Sequence, residues 1–386
     1  NHRMLRLRHF ALLTVGLVGS LSAAACGGDS SDDGSGSGGA TGKPDTEAEG
    51  ARPPGKGTGG PAAGSADVVV AMNKLFLGDT GFDGQPNAQA WKTMGYNLDG
   101  LLSTKSGSNH CKPQKGATKS SVQTDGVDGI DNSFGSNLIK VIGTLAPNPS
   151  AEISTALTEG SFTIMLRMEK VEDKPEQSGI KTSLYGGAKF EALIPDCKAT
   201  PTEVNCSAPK FDGSDMWPVL PELLSNPTDI NSAKVQFPDS YVTGGTWVSG
   251  SQGDLNLSLS ISGYSLALKI TKAVITADLS DVGTKAKATK GLIAGIIPTE
   301  QLISELKKIA GSFDKSMCEG STFETIAQSI RGASDIMADG TNGDSSKTCD
   351  GISIGLGFEG VAVQLGGIAP AATPPDDPCA PSADGG

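Results

Sequence analysis

LNLSLSISGYSLALKI, residues 255–270, is the stretch from which the fold can be read. Leu255, Leu257, Leu259 and Ile261 alternate with polar residues, and Leu266, Leu268 and Ile270 do so again. Side chains on a strand point to opposite faces with period two, so each run has one buried and one solvated face. Ser262, Gly263 and Tyr264 stand where a hairpin would turn. Further β-rich runs lie to either side: SFTIMLRMEKV (161–171), KVQF (234–237), YVTGGTWV (241–248), AVITADLS (273–280), KGLIAGIIP (290–298) and GISIGLGFEGVAVQLGG (351–367).

Helical periodicity interrupts this pattern twice. TEQLISELKKIAG (299–311) sets Leu302, Leu306 and Ile309 on one face, with Gly311 as a stop. STFETIAQSIRGASDIM (321–337) has Ser321 and Glu324 in capping-box spacing, ahead of a stripe of Phe323, Ile326, Ile330, Ala333 and Met337. Shorter helices are expected within 87–95, 136–143 and 150–160. The sequence thus predicts a mainly β (α+β) fold: one antiparallel β-sandwich-like domain over 66–368 with a few packed helices.

The chain around this domain is of a different kind. Arg6 and Arg8 precede the short apolar run FALLTVGLVGSL, and Ala23, Ala24 and Ala25 precede Cys26. A basic start, a short apolar stretch and small residues make a secretory signal over 1–25. Its end resembles the lipobox of bacterial lipoproteins, in which the cysteine carries the lipid, so Cys26 is the expected lipidation site and palmitate an expected acyl group. Residues 26–65 are rich in Gly, Ser, Pro and Asp and poor in large apolar side chains, the composition of a disordered tether. A coil of that length spans roughly 30–35 Å. Residues 369–386 form a Pro/Ala-rich tail. Gly27 rather than aspartate follows Cys26; by resemblance to enterobacterial sorting, this implies the outer membrane.

Removing Arg3, Arg6 and Arg8 from 31 basic residues leaves 28 against 43 acidic ones, a net charge of −15. Such a surface repels phosphate backbones, so nucleic acid is not an expected partner. Of seven cysteines, Cys26 is assigned to lipid. The other six, in an oxidising compartment, read as three disulfides. Fifteen pairings are open. Cys197–Cys206 closes a small loop, Cys318–Cys349 ties a helix start to the loop beyond it, and Cys111–Cys379 follows by elimination.

Several motifs tempt. Gly351-Ile-Ser353-Ile-Gly355 matches a hydrolase nucleophile elbow, yet it continues as strand and no histidine follows it. Gly355, Gly357 and Gly360 match a dinucleotide fingerprint without the helix that it requires. The only histidine beyond the signal is His110. In QTDGVDGIDNSFG (123–135), Asp125, Asp128, Asp131 and Asn132 offer oxygen ligands among glycines, and Asp79 and Asp83 form a partial EF-hand pattern upstream. Two readings stay open. Either these residues bind calcium, which accepts flexible oxygen geometry, or they make Asx-turns and cap the helix after Phe134.

FLGDTGFDGQPNAQAWKTMGYNLDGLLST, HCKPQ, DGVDGIDNSFG, WPVLPELL, IIPTEQLISELKKIAG, SDIMADG and TCDGISIGLGF resemble stretches of uncharacterised exported lipoproteins of myxobacteria and related bacteria. The resemblance implies an exported lipoprotein and brings no activity with it. The expected function is that of a non-catalytic binding or structural protein of the cell envelope, held to the membrane by its lipid. The alternative is a carboxylate-dependent polysaccharide hydrolase, which needs two acids about 5–10 Å apart across a sugar.

Overall fold

Eight antiparallel strands close on themselves. The computed structural model describes residues 46–47, 50–115, 124–145, 148–194, 197, 204–261, 264–318, 320–371 and 377–380. All of these belong to one unit, 42–386. The strands are β1 (Val68–Phe76), β2 (Thr163–Met168), β3 (Gln177–Gly187), β4 (Met216–Val219), β5 (Val235–Thr243), β6 (Thr246–Val248), β7 (Gly253–Ile261), β8 (Tyr264–Ser280), β9 (Lys287–Pro298) and β10 (Gly351–Ile368). The ring runs β9-β8-β6-β5-β3-β2-β1-β10 and returns to β9. β4 lies outside it, parallel to the tail of β10.

The expected sandwich is therefore corrected to a barrel, while the mainly β character holds. Period-two alternation is the same in both architectures. What distinguishes them is the ladder between β9 and β10, where Gly291 pairs with Phe358 and Pro298 with Gly351. The 255–270 stretch gives the paired strands β7 and β8; its Ser262-Gly263 turn lies outside the described residues. β8 runs on without a break through AVITADLS, and its second half enters the ring between β6 and β9.

Inward-facing side chains fill the barrel. Met72, Ile180, Phe237, Trp247, Ile275, Ile293 and Phe358 are buried in one apolar core. An eight-stranded barrel is just wide enough for side chains to fill it. Four helices join this core: α1 (Ile139–Leu145), α2 (Pro149–Thr158), α3 (Thr299–Phe313) and α4 (Ser321–Arg331). They gather at the end where β1 finishes, here the upper end. There the Ser150 hydroxyl accepts a hydrogen bond from Leu77 N, and α3 starts directly after β9. Gly311 does not stop α3, which runs to Phe313. The Ser321 capping box does not form, since Gly320 is the cap residue and makes no side-chain bond. Glu324 instead pairs with Arg331, which also holds Glu300 of α3 through two hydrogen bonds.

Two excursions coat the outside. The described residues of 78–137 cover the outer face of β8–β10, where Tyr96 Oη meets Thr276 Oγ1 at 2.8 Å. The described residues of 188–233 cover β1–β3 and bury Phe190 against Trp217. A strap comes first. Residues 50–65, expected within the disordered tether, run along the barrel as ordered chain. Ala51 N donates to Asp128 O at 2.7 Å, Tyr241 Oη to Pro54 O at 2.7 Å, and Ala62 N to Ser178 O at 3.0 Å. These bonds use only the strap's own backbone groups and no apolar side chain of it, so composition did not disclose them. The signal, Cys26 and most of the expected C-terminal tail lie outside the described residues.

Three disulfides staple the molecule: Cys111–Cys349, Cys197–Cys206 and Cys318–Cys379. The local pair is as expected. The pairings Cys318–Cys349 and Cys111–Cys379 are corrected. Nearness along the chain favoured the first of them, but Lys112 runs beside Thr348, with Lys112 N donating to Lys347 O at 2.7 Å and Cys349 N to Lys112 O at 2.9 Å. That ladder sets Cys111 against Cys349.

A bridge stabilises chiefly by restricting the unfolded chain, and more so for a longer loop. Cys111–Cys349 closes a loop with a separation of 238 residues and Cys197–Cys206 one of 9. Replacing both cysteines of the long bridge by alanine is expected to cost about 5 kcal/mol, against about 3 kcal/mol for the short one. Urea unfolding of the two double variants measures this; equal or reversed losses would contradict the chain-restriction account.

Candidate functional site

β10 is eighteen residues long and β1 only nine. Their ladder reaches Gly357 opposite Phe76. Above that point the edge of β10 facing β1 has lost its partner, and unmet backbone groups are costly when buried. Side chains take the place of the missing strand. The Asn132 amide accepts from Gly355 N at 3.0 Å and donates to Gly355 O at 2.9 Å. One step further, Asp335 Oδ1 accepts from Ser353 N at 2.8 Å.

Glycine is required at 355. A Cβ there would stand 2.0 Å from Met94 O. Ile352, Ile354 and Leu356 point into the barrel core, while Ser353 and Gly355 face the 78–137 excursion. The G-x-S-x-G match is thus an outward row of small residues on a strand. Ser353 is fully buried, donates its hydroxyl proton to Asp335 Oδ2, and accepts from Ser133 N at 2.8 Å. Its Oγ therefore bridges two segments and does not face an accessible pocket.

The acids around this edge form a cluster. Asp131 and Asp335 are buried, and Asp131 feels Asp99, Asp125 and Asp335. Burial first, and then these neighbours, push the Asp131 carboxyl well above the usual range, against the bond from Leu98 N at 2.7 Å. Burial likewise raises Asp335 to about 7, opposed by its bonds to Ser353 and assisted by Asp99. Asn342 knits the cluster together: its amide donates to Asp99 Oδ2 at 2.8 Å and to Asp335 O at 3.2 Å, and its oxygen accepts from Cys111 N at 2.7 Å.

Of the two readings left open for Asp125, Asp128, Asp131, Asn132, Asp79 and Asp83, the calcium loop is not assembled. Asp128 is exposed, in a left-handed turn at φ 52°. Asp125 Oδ2 accepts from Ser103 N at 2.6 Å. Asn132 spends its side chain on backbone groups, including Gly135 N at 2.9 Å at the start of the helical turn. Asp79 is bonded to the Ser150 hydroxyl, and Asp83 makes a local turn with Gln85 N at 3.0 Å. Among the described residues, no group of three or more His, Cys, Asp or Glu is placed to hold a metal ion.

The sequence reading did not single out Asp99, Asp335 or Asn342. Nothing local marks them, because their partners lie far away in the chain. The three tryptophans on which sugar stacking would depend, Trp91, Trp217 and Trp247, are buried. Among the described residues no helix is long and apolar enough to cross a membrane. Compared with family models, curated proteins and solved structures, the chain matches none.

Two outcomes follow from this geometry. Asn132→Ala strips Gly355 of both partners and is expected to cost about 2–4 kcal/mol in urea unfolding; a loss under about 1 kcal/mol would show that water replaces the amide readily. Asp335 binds its proton more tightly folded than unfolded, so its contribution to stability falls as pH rises from about 4 to about 7 and is flat above that range. Asp335→Asn removes this titration. The variant is expected to gain stability relative to the parent as pH rises across that window, read as a shift in urea midpoint. A difference independent of pH would overturn the assignment.

Proposed function

We propose that this chain is an exported, lipid-anchored protein of the cell envelope, whose barrel is a non-catalytic binding or structural body. The observation that carries this reading is the pairing of the cysteines. All six beyond Cys26 are joined to one another. Structural disulfides of this kind belong to oxidising compartments. The pairing leaves Cys26 as the one cysteine outside a bridge, at the end of a signal-like stretch. Lipid attachment there gives it a role.

The likeness to exported lipoproteins of myxobacteria supports the same reading. So does the acidic balance, which suits an exported surface and not a nucleic-acid partner. The membrane is then a partner through the acyl chains alone. Each buried CH₂ contributes about 0.8 kcal/mol, so more than one chain is needed for a lasting anchor. Under the sorting rule of enteric bacteria, Gly27 in place of aspartate supports an anchor in the outer membrane.

Cells fed an alkyne analogue of palmitate are expected to label the parent protein and not Cys26→Ser. The substitution changes none of the residues that build the barrel, so the variant should still accumulate, with its precursor uncleaved. Label that persists on Cys26→Ser would refute the anchor.

A further inference from the structure

β7 is a second strand that outruns its neighbour. It continues the line of β6 along one edge of β8: Val248 pairs with Thr276, and Gly253 with Ala273. On its far side β6 has β5, with Tyr241 opposite Val248. β5 goes no higher than Val235, and Phe237 already lies beside Gly253 at the base of β7. From Leu255 to Ile261, β7 pairs with β8 alone. Among the described residues, its backbone has no hydrogen bond to anything else. On β10 the orphaned edge is repaired by Asn132 and Asp335. Among the described residues, no side chain does the same for β7.

This edge lacks the features that usually keep sheet edges apart, which are short length, lysine and proline. It is nine residues long and contains neither lysine nor proline. Its one charge is Asp254, in a chain that carries −15 beyond the signal. Leu255 and Leu257 are buried in the core, while Asp254 and Asn256 are exposed, so the strand has a fixed inner and outer face. The chain's own tail is ill-suited to fill the edge. Pro370, Pro374, Pro375, Pro378 and Pro381 remove N–H groups that a ladder needs.

We propose that this edge pairs with the same edge of a second copy of the chain, antiparallel, about a two-fold axis at Leu257. Directly opposed residues of an antiparallel pair share a face. The axis sets Leu255 opposite the partner's Leu259, so the two leucine faces join into one. Asn256 then stands opposite the partner's Ser258, and Asp254 opposite the partner's Ser260. The two carboxylates therefore lie at opposite ends of the contact, and no like charges meet. Each copy spends its one free β7 edge, so assembly closes at a dimer. A single strand pairing buries less than the roughly 1,200–2,000 Å² of a stable interface, so the dimer forms and parts readily. The inference goes beyond the binding or structural reading and does not need the lipid at Cys26; each can fail without the other.

Sedimentation equilibrium of the full-length protein in mild detergent, over a wide range of concentration, tests this. A monomer–dimer equilibrium is expected, with slower exchange of backbone amides within 255–261 as the dimer forms. Asn256→Lys combined with Ser258→Lys sets like charges opposite each other twice and is expected to weaken the dimer about tenfold. Asn256→Asp combined with Ser258→Asp should do the same. An equimolar mixture of the two variants should dimerise at least as well as the parent. Unchanged urea midpoints would show that both variants still fold. A monomer at every concentration, or a dimer in which these amides exchange as in the monomer, would overturn the proposal. So would a lysine variant that dimerises like the parent, or a mixture that fails to recover.

Discussion

The ladder between β9 and β10 is the constraint from which the rest of the structure follows. It turns a sheet into a ring, and it fixes β10 over its full length against β9. But β10 outruns its other neighbour. β1 ends at Phe76, while β10 extends six residues further up, to Gly351. Closing the barrel therefore creates a stretch of orphaned strand edge. A cost of that kind must be met by something else in the molecule. Here it is met by the side chains of Asn132 and Asp335, which come from segments 223 and 18 residues away from their targets, and at Gly351 by the backbone of Ile336. The excursion over 78–137 is held to the barrel by this repair, by Tyr96 and by the Cys111–Cys349 bridge.

Side-chain repair of a strand edge has an electrostatic side effect. Asn132 is neutral, and its two functions match the two backbone groups of Gly355. Asp335 offers acceptors only when ionised, which suits Ser353 N and the Ser353 hydroxyl but brings a carboxylate into a dry place. Asp131 is brought in with the same segment. The two raised carboxyls are thus a consequence of how the edge is closed. Catalysis need not be invoked to explain a perturbed acid here, although perturbed acids often do mark active sites.

What could be read in the sequence divides along physical lines. Strands with one wet face announce themselves, and 255–270 is of that kind; 290–298 and 351–367 are largely covered on both faces and are read instead from their apolar, β-rich runs. β1 does not, because Val69 and Ala71 on its outer face are covered by the 188–233 excursion, so alternation is lost. β3 hides for the opposite reason: Thr182 points into the barrel and is satisfied there by Ser240 at 2.8 Å, so a polar residue marks an inner position. Closure itself left no local trace, since 291–298 and 351–358 are separated by two helices. QTDGVDGIDNSFG was correctly picked out as unusual. Its glycines and Asn132 serve tight approach and edge capping, with Gly126 lying so close to Lys92 that a Cβ would stand 2.5 Å from its carbonyl oxygen. A sequence shows that oxygen donors are concentrated; it does not show whether they face an ion or a backbone 223 residues away.

The strap at 50–65 has a mechanical meaning. A chain held at its N-terminal end transmits tension into the folded body through whatever lies first along the backbone. Here that is the short pairing of Thr46 and Glu47 with Leu102 and Leu101, and then a series of local attachments: Ala51 to Asp128 and Asn97, Pro54 to Tyr241, Gly60 and Ala62 to Ser178, Gly64 to Lys170. Loaded from residue 46, they are met one after another, as in peeling. β1, by contrast, is flanked by β2 and β10 and would have to be sheared along two ladders at once. Force therefore spends itself on the strap first. About fifteen residues of slack can be paid out, roughly 50 Å at full extension, before the ring of strands carries any load.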